Sequence, residues 1–536
     1  MAIRAALVAL LFAALAPAAA PAGRSAPVPR LLDLRVGNGS TPFAGDHRLL
    51  TTVSPNGDRF RDRAIVSFRL DGAATVQLDV LQTLNVKRGK NTVRTISTQS
   101  YAFKPGRHRL AWEPARTVPN GTYVLELTLT DALGRKRVYN DYPLGGRVRV
   151  LAPVVRIQRV GVSIGPRYTP GQTARVSIAT DARRLDLDIL SFRNGTGGTD
   201  ARTTAAPVAP PVALSWRGHR NAPGSVRIRI GNWPSGLYFV RVHARDGRIG
   251  YAPFVVRPRV LGLNRVAVVL PTNTWQAYNF DDANGDGWGD SWYVNGAFRT
   301  VDIQRPYVDY GVPYRFRDFD AAILGWLAGR GNLDYLTDLD LAHIQRADTL
   351  AARYDLIVFP GHEEYVTAHE YALVRRYRDL GGNLMFLSAN NLFWKVVFHG
   401  HMMRRVGTWR ALGLPEASVV GVQYVASNYG GQQAPYTADT SGAPWAFTGT
   451  GLATGSRFGR YGYEIDMRSP ATPAGNVVLG SAPDLMGPGK TAEMTYYETP
   501  RGARVFAGGA LNFASSVGVP AVARLLDNVW GRVSRP

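Results

Sequence analysis

The stretch YDLIVFPG, residues 354–361, decides the fold class of the longest part of this chain. Its centre, Leu356 to Phe359, is a continuous apolar run without the alternating polar residues of a half-exposed strand. Such a run is typical of a strand that is buried on both faces of a parallel sheet. We therefore expect a strand here, with Gly361 turning the chain away at its carboxyl end.

A helix is predicted shortly after this turn. Thr367 and Glu370 have the spacing of a capping box, and apolar residues recur on one face of AHEYALVRRYRDLGG. The loop before the helix then contains His362, Glu363, Glu364 and Tyr365, at the edge where open α/β sheets bind ligands. Adjacent carboxylates with a histidine are costly to crowd without a cation or hydrogen-bond partners, so we regard them as candidate catalytic groups. A solvated loop without function is the alternative.

Residues 259–536 alternate apolar strands with helical segments. NRVAVVLP, NLMFLSANN and ARVFAGGAL have the pattern of strands, and FDAAILGWLAG and PAVARLLDNVW that of helices. This alternation predicts one α/β domain with a mostly parallel sheet. Asn390 follows the strand next to YDLIVFPG and should face the same crevice, which makes it a further candidate catalytic residue. Ser388 would be the nucleophile of an alternative, a serine hydrolase, although it lacks a G-x-S-x-G elbow.

Residues 30–258 show the period-two alternation of half-buried strands. The regions 30–152 and 153–258 end alike, in NGTYVLELTLTDALGRKRVY and SGLYFVRVHARDGRIGYAPF. Two tandem immunoglobulin-like β-sandwiches explain this repeat. The sequence therefore predicts a multidomain protein, with two β-sandwiches followed by the α/β domain of residues 259–536.

The first 22 residues have the pattern of a secretory signal peptide. Arg4 precedes an apolar run, and Ala18 to Ala20 offer an A-x-A-like cleavage site. No later segment has about 18 consecutive apolar residues, so we expect no transmembrane segment. The predicted location is secreted or associated with the cell envelope.

The amino-acid composition limits the kinds of chemistry and of binding partner that we expect for this protein. The chain has no cysteine, which excludes disulfides and thiolate chemistry. Its formal net charge is +23, but the basic residues are spread along the chain rather than clustered between aromatic residues. This distribution predicts affinity for anionic cell-envelope polymers and no specific binding of nucleic acid.

The segment FDDANGDGWGD, residues 280–290, has the spacing of a calcium-binding loop. Asp282, Asn284, Asp286 and Asp290 occupy alternating positions from which oxygen atoms can converge on Ca²⁺. Position 12 of the pattern is Tyr293 instead of glutamate, so an EF-hand is not expected. The alternative is a plain Asp/Asn/Gly turn.

Two regions resemble known families. The segments SPNGDRFRDRAIVSFRL and NGTYVLELTLTDALGR, with the Trp112 strand between them, resemble the Ig-like domain of flagellar hook-capping proteins. Residues from about 235 to 536 resemble the C-terminal family of the N,N-dimethylformamidase large subunit. The segments that carry this second resemblance are TWQAYN, YDLIVFPGHEEY, GGNLMFLSANNLFW, VGTWRALGLPE and GYEID.

The second resemblance implies a fold and a chemistry. It implies an α/β core similar to class I glutamine amidotransferases without their nucleophile, and hydrolysis of an amide substrate. It also implies a mononuclear iron held by two tyrosines and a glutamate, which would activate a water molecule as a Lewis acid.

The ligands of this iron can be carried over only in part. Tyr365 matches one tyrosine through its motif, and Tyr278 and Tyr335 are alternatives for the second. The family pattern has a glutamate shortly before the WR pair, where this chain reads HMMRRVGTWR. Glu464 of GYEID or Glu364 would then supply the carboxylate. A relative that has lost catalysis and binds the cell envelope is the alternative function.

Overall fold

The computed structural model describes residues 27–87, 90–140, 152–192, 205–293, 300–308 and 311–535. The predicted signal peptide, residues 1–22, lies outside these residues, so export stays a prediction. Within the described ranges, no helix is long and apolar enough to cross a membrane. Strands account for 41% of the described residues and helices for 16%, so this part of the chain is mainly β.

The first β-sandwich combines two sheets. In the strand Ala64–Leu70, every second side chain is buried, because successive residues of a strand point to opposite faces. One sheet contains the strands Leu31–Gly37, Ala64–Leu70 and Gly106–Trp112. The other contains Leu50–Val53, Val154–Ile157, Gly121–Thr130, Ala74–Lys87, Lys90–Phe103 and Lys136–Tyr139. The strand Val154–Ile157 thus pairs with the first sandwich, although the sequence placed the second domain from residue 153.

The second β-sandwich repeats a detail of the first. Tyr123 donates a hydrogen bond to the carbonyl of Pro119 at 2.9 Å, and Tyr238 donates one to Pro234 at 2.8 Å. This contact is the tyrosine corner of immunoglobulin-like folds. The strands of the second sandwich are Gly161–Ile164, Thr173–Ala179 and Gly224–Arg229 in one sheet, and Arg167–Tyr168, Ile249–Val256, Gly236–Ala244, Arg184–Phe192, Ala205–Pro207 and Val212–Ser215 in the other.

A buried arginine joins the two sandwiches. Arg61 is 1% exposed and donates to the carbonyl of Thr41 at 2.9 Å on its own side. It also donates to the carbonyl of Arg220 and the side chain of Asn221, both at 2.6 Å, in the second sandwich. Because a buried guanidinium needs its donors satisfied, these bonds fix the relative position of the two sandwiches.

The C-terminal region is built on a nine-stranded sheet. Five strands at one side run parallel to one another, and the remaining four are antiparallel to their neighbours. The order across the sheet is Asp334–Thr337, Val266–Leu270, Leu356–Phe359, Asn383–Phe386, Arg504–Ala507, Ala492–Glu498, Val477–Ala482, Gln433–Ala438 and Arg457–Gly462.

The prediction of a mostly parallel, glutamine amidotransferase-like α/β domain is therefore wrong. Half of the pairings in the large sheet are antiparallel, and strands outnumber helices throughout the region. The physical reason lies in the connections. Glu498 and Arg504 are opposite each other across a short turn, which can join only antiparallel strands, whereas a parallel pair needs a long crossover.

Helices and small sheets complete this region. The helices are Thr272–Ala277, Phe316–Phe319, Ala321–Ala328, Asp338–Leu341, Ala347–Arg353, Ala368–Asp379, Ala417–Val420 and Pro520–Val533. One small sheet contains Thr300–Asp302, Met402–Thr408, Trp394–His399 and Tyr365–Val366, and another contains Gln423–Ser427 and Glu464–Met467. Short 3-10 helices are Arg217–His219, Arg410–Leu412, Pro444–Phe447 and Phe513–Ser516.

The second sandwich and the C-terminal region share a hydrophobic core. Phe192 and Phe239 of the sandwich pack against Phe316, with ring centroids 5.9 and 6.1 Å apart. The same core continues to the large sheet through Tyr335. Burial of this apolar surface holds the two parts together as one unit.

The predicted capping box is present at the start of the helix Ala368–Asp379. The amide of Glu370 donates to Thr367 Oγ1 at 3.2 Å, and Glu370 accepts from the amide of Thr367. Thr367→Ala removes one of these bonds and should lower the free energy of unfolding by about 1 kcal/mol. Urea unfolding measures this loss. Thr367→Ser keeps the hydroxyl and is the control, so equal stability of the two variants would contradict the assignment.

Candidate active site

The candidate site lies at the carboxyl ends of the neighbouring parallel strands Leu356–Phe359 and Asn383–Phe386. His362, Glu364 and Asn390 come from the loops that follow these strands, and all three are buried. Asn390 has a φ of 55°, a left-handed conformation that asparagine tolerates better than most residues. The sheet therefore brings the candidate catalytic residues to one place.

Tyr278 joins these residues from a third neighbouring strand. It ends the helix Thr272–Ala277, which follows the strand Val266–Leu270. Its hydroxyl donates to Glu364 Oε2 and accepts from the hydroxyl of Tyr365 at 3.4 Å. Two phenol oxygens and a carboxylate thus meet at the edge of the sheet.

Of the two candidates for the second tyrosine, only Tyr278 is in contact with Tyr365. Tyr335 lies inside the strand Asp334–Thr337, and its ring belongs to the core shared with the second sandwich. The backbone amide of Tyr335 donates a hydrogen bond of 2.7 Å to Ser235 Oγ. The structure therefore does not bring Tyr335 to the site.

Both candidate carboxylates, Glu364 and Glu464, lie at the site. Glu464 begins the strand Glu464–Met467 and accepts a hydrogen bond of 2.8 Å from Asn390 Nδ2. His362 Nε2 lies 3.4 Å from Glu364 Oε2 and 3.5 Å from Glu464 Oε2. The imidazole thus stands between the two carboxylates, yet Nε2 makes no hydrogen bond with any residue that the structure describes.

Burial controls the protonation of the site. It raises the pKa of Glu464 to about 7, although the hydrogen bond from Asn390 lowers this pKa. Burial also raises the pKa of Glu364 well above its usual value, and the charge of Glu464 raises it further. It lowers the pKa of His362 to about 3, so the imidazole is neutral at pH 7. Burial therefore favours the neutral forms of the carboxyls and of the imidazole, because charged forms lose their hydration here.

Sequence reasoning did not place Arg405 in the site. Its guanidinium lies over the ring of Trp394 at 4.5 Å and over that of Trp292 at 5.4 Å. Burial raises the pKa of Glu364 and of Tyr365, and the positive charge of Arg405 acts in the opposite direction on both. The arginine pair in HMMRRVGTWR is the signal in the sequence, since it stands where the family pattern has a glutamate.

Glu363, the other acidic residue of the loop, belongs to a different group. It is 1% exposed, and neither carboxyl oxygen has a hydrogen-bond partner among the described residues. Burial raises its pKa, and the charges of Asp338 and Glu370 raise it further. Its carboxyl therefore interacts with acidic residues in the first turns of two helices, Asp338 and Glu370.

Ser388 is buried and bonded to the backbone. Its hydroxyl donates to the carbonyl of Leu511 at 3.2 Å. A serine nucleophile needs a base that accepts its proton, and a carbonyl cannot take that role. This contact favours a structural role for Ser388.

The predicted calcium loop is a tight turn held by its own carboxylates. Asp282 accepts from the amides of Gly285 at 2.8 Å and of Gly287 at 2.9 Å. Asp290 accepts from the side chain of Asn284 at 3.1 Å, and Asp286 from the amide of Trp288 at 2.9 Å. These oxygens are engaged with the loop itself, and calcium binding stays a prediction.

The metal implied by the family resemblance can be compared with the donor set. Across the described ranges, no group of three or more His, Cys, Asp or Glu side chains is spaced to hold a metal ion. The phenol oxygens of Tyr278 and Tyr365 are therefore needed to complete a set with His362 and Glu364. Oxygen and imidazole donors of this kind are types that bind iron, and the unpartnered Nε2 of His362 offers a lone pair in the tautomer that is protonated at Nδ1. The donor types suit the metal, and iron binding stays a prediction.

Comparison with known proteins gives one informative match. The model of the family described as N,N-dimethylformamidase beta subunit-like, C-terminal, matches residues 204–524. No curated protein matches the sequence.

Solved structures give only distant likenesses. DIP-gamma IG1+IG2 is 11% identical over 44% of this chain and 99% of that one, with a TM-score of 0.15. Escherichia coli alpha-2-macroglobulin activated by porcine elastase is 11% identical over 43% and 20%, with a TM-score of 0.17. Red sea bream transglutaminase is 11% identical over 42% and 31%, with a TM-score of 0.18. Scores this low say nothing about the arrangement of the site.

The buried histidine makes stability depend on pH. Burial lowers the pKa of His362 from 6.5 to about 3, so the unfolded chain takes up a proton on this residue before the folded chain does. Its contribution to stability is complete above pH 6.5 and is lost as the pH falls towards 3. His362→Gln should therefore lose less stability than the parent protein between pH 6.5 and about 4.

Denaturant unfolding at several pH values measures this difference. His399→Gln, at an exposed histidine, is the control and should follow the parent protein. Parallel stability curves for His362→Gln and the parent protein would show that His362 is not buried in its neutral form.

Proposed function

This chain belongs to the N,N-dimethylformamidase beta subunit-like, C-terminal family, and on that premise we propose that it hydrolyses a C–N amide bond with the help of a bound iron ion. One observation carries the proposal. Tyr278, Glu364 and Glu464 surround a buried, neutral imidazole whose Nε2 has no hydrogen-bond partner among the described residues, and Tyr365 bonds to the Tyr278 hydroxyl. Such an arrangement is costly for a folded protein unless a ligand compensates it.

The two phenols, the carboxylate of Glu364 and His362 Nε2 are the residues that would hold the metal. When bound, the ion would supply Lewis acidity, polarising an amide carbonyl or a water molecule. Arg405 supports this assignment electrostatically. Its positive charge counteracts the effect of burial on the pKa of Glu364 and Tyr365, and so favours their ionised, ligating forms.

Proton transfer is the task that we assign to Glu464. Amide hydrolysis requires a base that takes a proton from water and an acid that gives one to the leaving nitrogen. A group serves both purposes best when its pKa is near the working pH, and burial raises that of Glu464 to about 7. Asn390 orients this carboxyl through its hydrogen bond of 2.8 Å to Oε2.

A second candidate is a binding protein of the cell envelope without catalytic activity. Arg405 favours it, because a cation stands where the family pattern has a glutamate. The formal net charge of +23 would suit anionic polymers if the chain is exported as its first 22 residues predict. The two candidates differ in whether the site binds a transition metal.

Metal analysis tests the proposed function. The protein reconstituted with iron and then dialysed should retain about one ion per chain. Tyr278→Phe and Tyr365→Phe each remove a phenol oxygen and should lose most of this metal. Tyr335→Phe is the matched control, since it removes the same atom from a tyrosine outside the site, and it should bind like the parent protein. A parent protein that retains no iron would sink the proposal and leave the binding protein.

The pH profile of amide hydrolysis tests the role of Glu464. Activity should change with an apparent pKa near 7 in the parent protein, because the buried carboxyl exchanges its proton there. Glu464→Gln should lower kcat by about 100-fold or more and remove that limb of the profile. Glu498→Gln, at an exposed glutamate of the nine-stranded sheet, is the control. An unchanged limb in Glu464→Gln would transfer the proton-transfer role to another group.

A further inference from the structure

Arg305 is a buried arginine next to the site that the proposed chemistry does not use. It is 5% exposed, and its donors bond to backbone carbonyls on three segments. Nη2 donates to Gln276 at 2.6 Å, Nη1 to Asp281 and Asp290 at 3.1 Å each, and Nε to Asp302 at 2.9 Å. A guanidinium presents its donors in a rigid plane, so these carbonyls are held in fixed relative positions.

Hydrogen bonds to Arg305 and Pro306 hold the chain before and after Tyr278. Gln276, two residues before Tyr278, accepts from the guanidinium and donates through Nε2 to the carbonyl of Arg305 at 3.1 Å. Asn279, one residue after it, donates to the carbonyl of Pro306 at 2.9 Å. The backbone that carries the Tyr278 phenol is therefore bonded to the segment of Arg305 before and after the tyrosine.

Arg305 also joins the two ends of the loop from Asp281 to Asp290. The amide of Asp290 donates to the carbonyl of Asp281 at 3.0 Å, and Arg305 Nη1 bonds to both carbonyls. The chain then reaches Trp292, whose amide donates to the carbonyl of Ala277 at 2.9 Å. The ring of Trp292 contacts that of Tyr365, with centroids 4.8 Å apart. The loop thus leads from one site tyrosine to a neighbour of the other.

The tip of this loop lies against the first sandwich. Thr83 Oγ1 donates to the carbonyl of Gly287 at 2.6 Å, and Arg156 Nη2 donates to that of Asp282 at 2.9 Å. A Cβ atom at Gly287, where φ is 92°, would come within 2.6 Å of Val124. The fit is so close that the sandwich determines where the loop can lie.

We propose that Arg305 is a positioning residue for Tyr278. We also propose that the loop Asp281–Asp290, which is fixed against the first sandwich, helps to fix the position of Tyr278. Hydrogen bonds join the sandwich to the loop, the loop to the guanidinium, and the guanidinium to the carbonyl of Gln276, two residues before Tyr278. The motif that resembles a calcium loop therefore connects two domains. The inference rests on the proposed function only in the role given to Tyr278, since the contacts themselves involve no metal or substrate.

The position of the Tyr278 ring can be followed in the metal-free protein by ¹⁹F NMR, with 3-fluorotyrosine incorporated at residue 278. Arg305→Lys keeps the charge and removes the planar set of donors, so the resonance should shift or split relative to the parent protein. Thr83→Val removes only the hydrogen bond at the tip and should move the resonance in the same direction by a smaller amount.

Arg61→Lys is the matched control. Arg61 is equally buried and also donates to backbone carbonyls, but it joins the two sandwiches and does not contact the site. It should leave the resonance in place even if it lowers the thermal midpoint as much as Arg305→Lys does. If Arg305→Lys does not fold, Thr83→Val decides the question alone.

An unmoved resonance in the folded variants, or an equal shift in Arg61→Lys, would overturn the inference. The proposed function fails separately, through absence of iron or of amide hydrolysis in the parent protein. A shift of the resonance in a protein that binds no iron would support the inference and refute the proposed function. Iron binding without a shift of the resonance would support the function and refute the inference.

Discussion

The hydrogen bond between Tyr278 and Glu364 is the contact on which the arrangement of the site depends. It joins the segments that follow two adjacent parallel strands, Val266–Leu270 and Leu356–Phe359. Glu364 is buried and Tyr278 partly buried, and the loss of hydration raises the pKa of both groups. Tyr365 bonds to the same phenol and His362 approaches the same carboxyl, and each would lose its neighbour if this pair separated.

A two-stranded sheet outside the large sheet supplies a second carboxylate to the site. Glu464 and Asp466 belong to one of its strands, and both bond to Asn390 in the loop after a parallel strand. This small sheet is therefore the means by which a second carboxylate reaches His362. The parallel strands alone would present to this crevice only the loops that follow them.

Local structure was predictable where a short pattern determines it. The strand Leu356–Phe359 follows from its apolar run, and the helix after Thr367 from its capping box. The choice between Tyr278 and Tyr335 was not predictable, because both tyrosines lie close in sequence to a strand of the sheet. The difference is one of placement, since Tyr335 is inside its strand and Tyr278 is at the end of the helix that follows another. Only the folded sheet shows which phenol reaches Tyr365.

The strand directions and the domain contacts depend on long-range pairing in the same way. Period-two alternation identifies a strand but carries no information about its direction or its neighbour. The family match begins at residue 204, inside the second sandwich, whose Phe239 packs on Phe316 of the C-terminal region. Because these parts share one core, the sandwich is better regarded as part of the body that carries the site than as a separate module. The first sandwich lies outside the match and reaches the site through the loop at Gly287, so it can hold Tyr278 in place without contributing a residue to the chemistry.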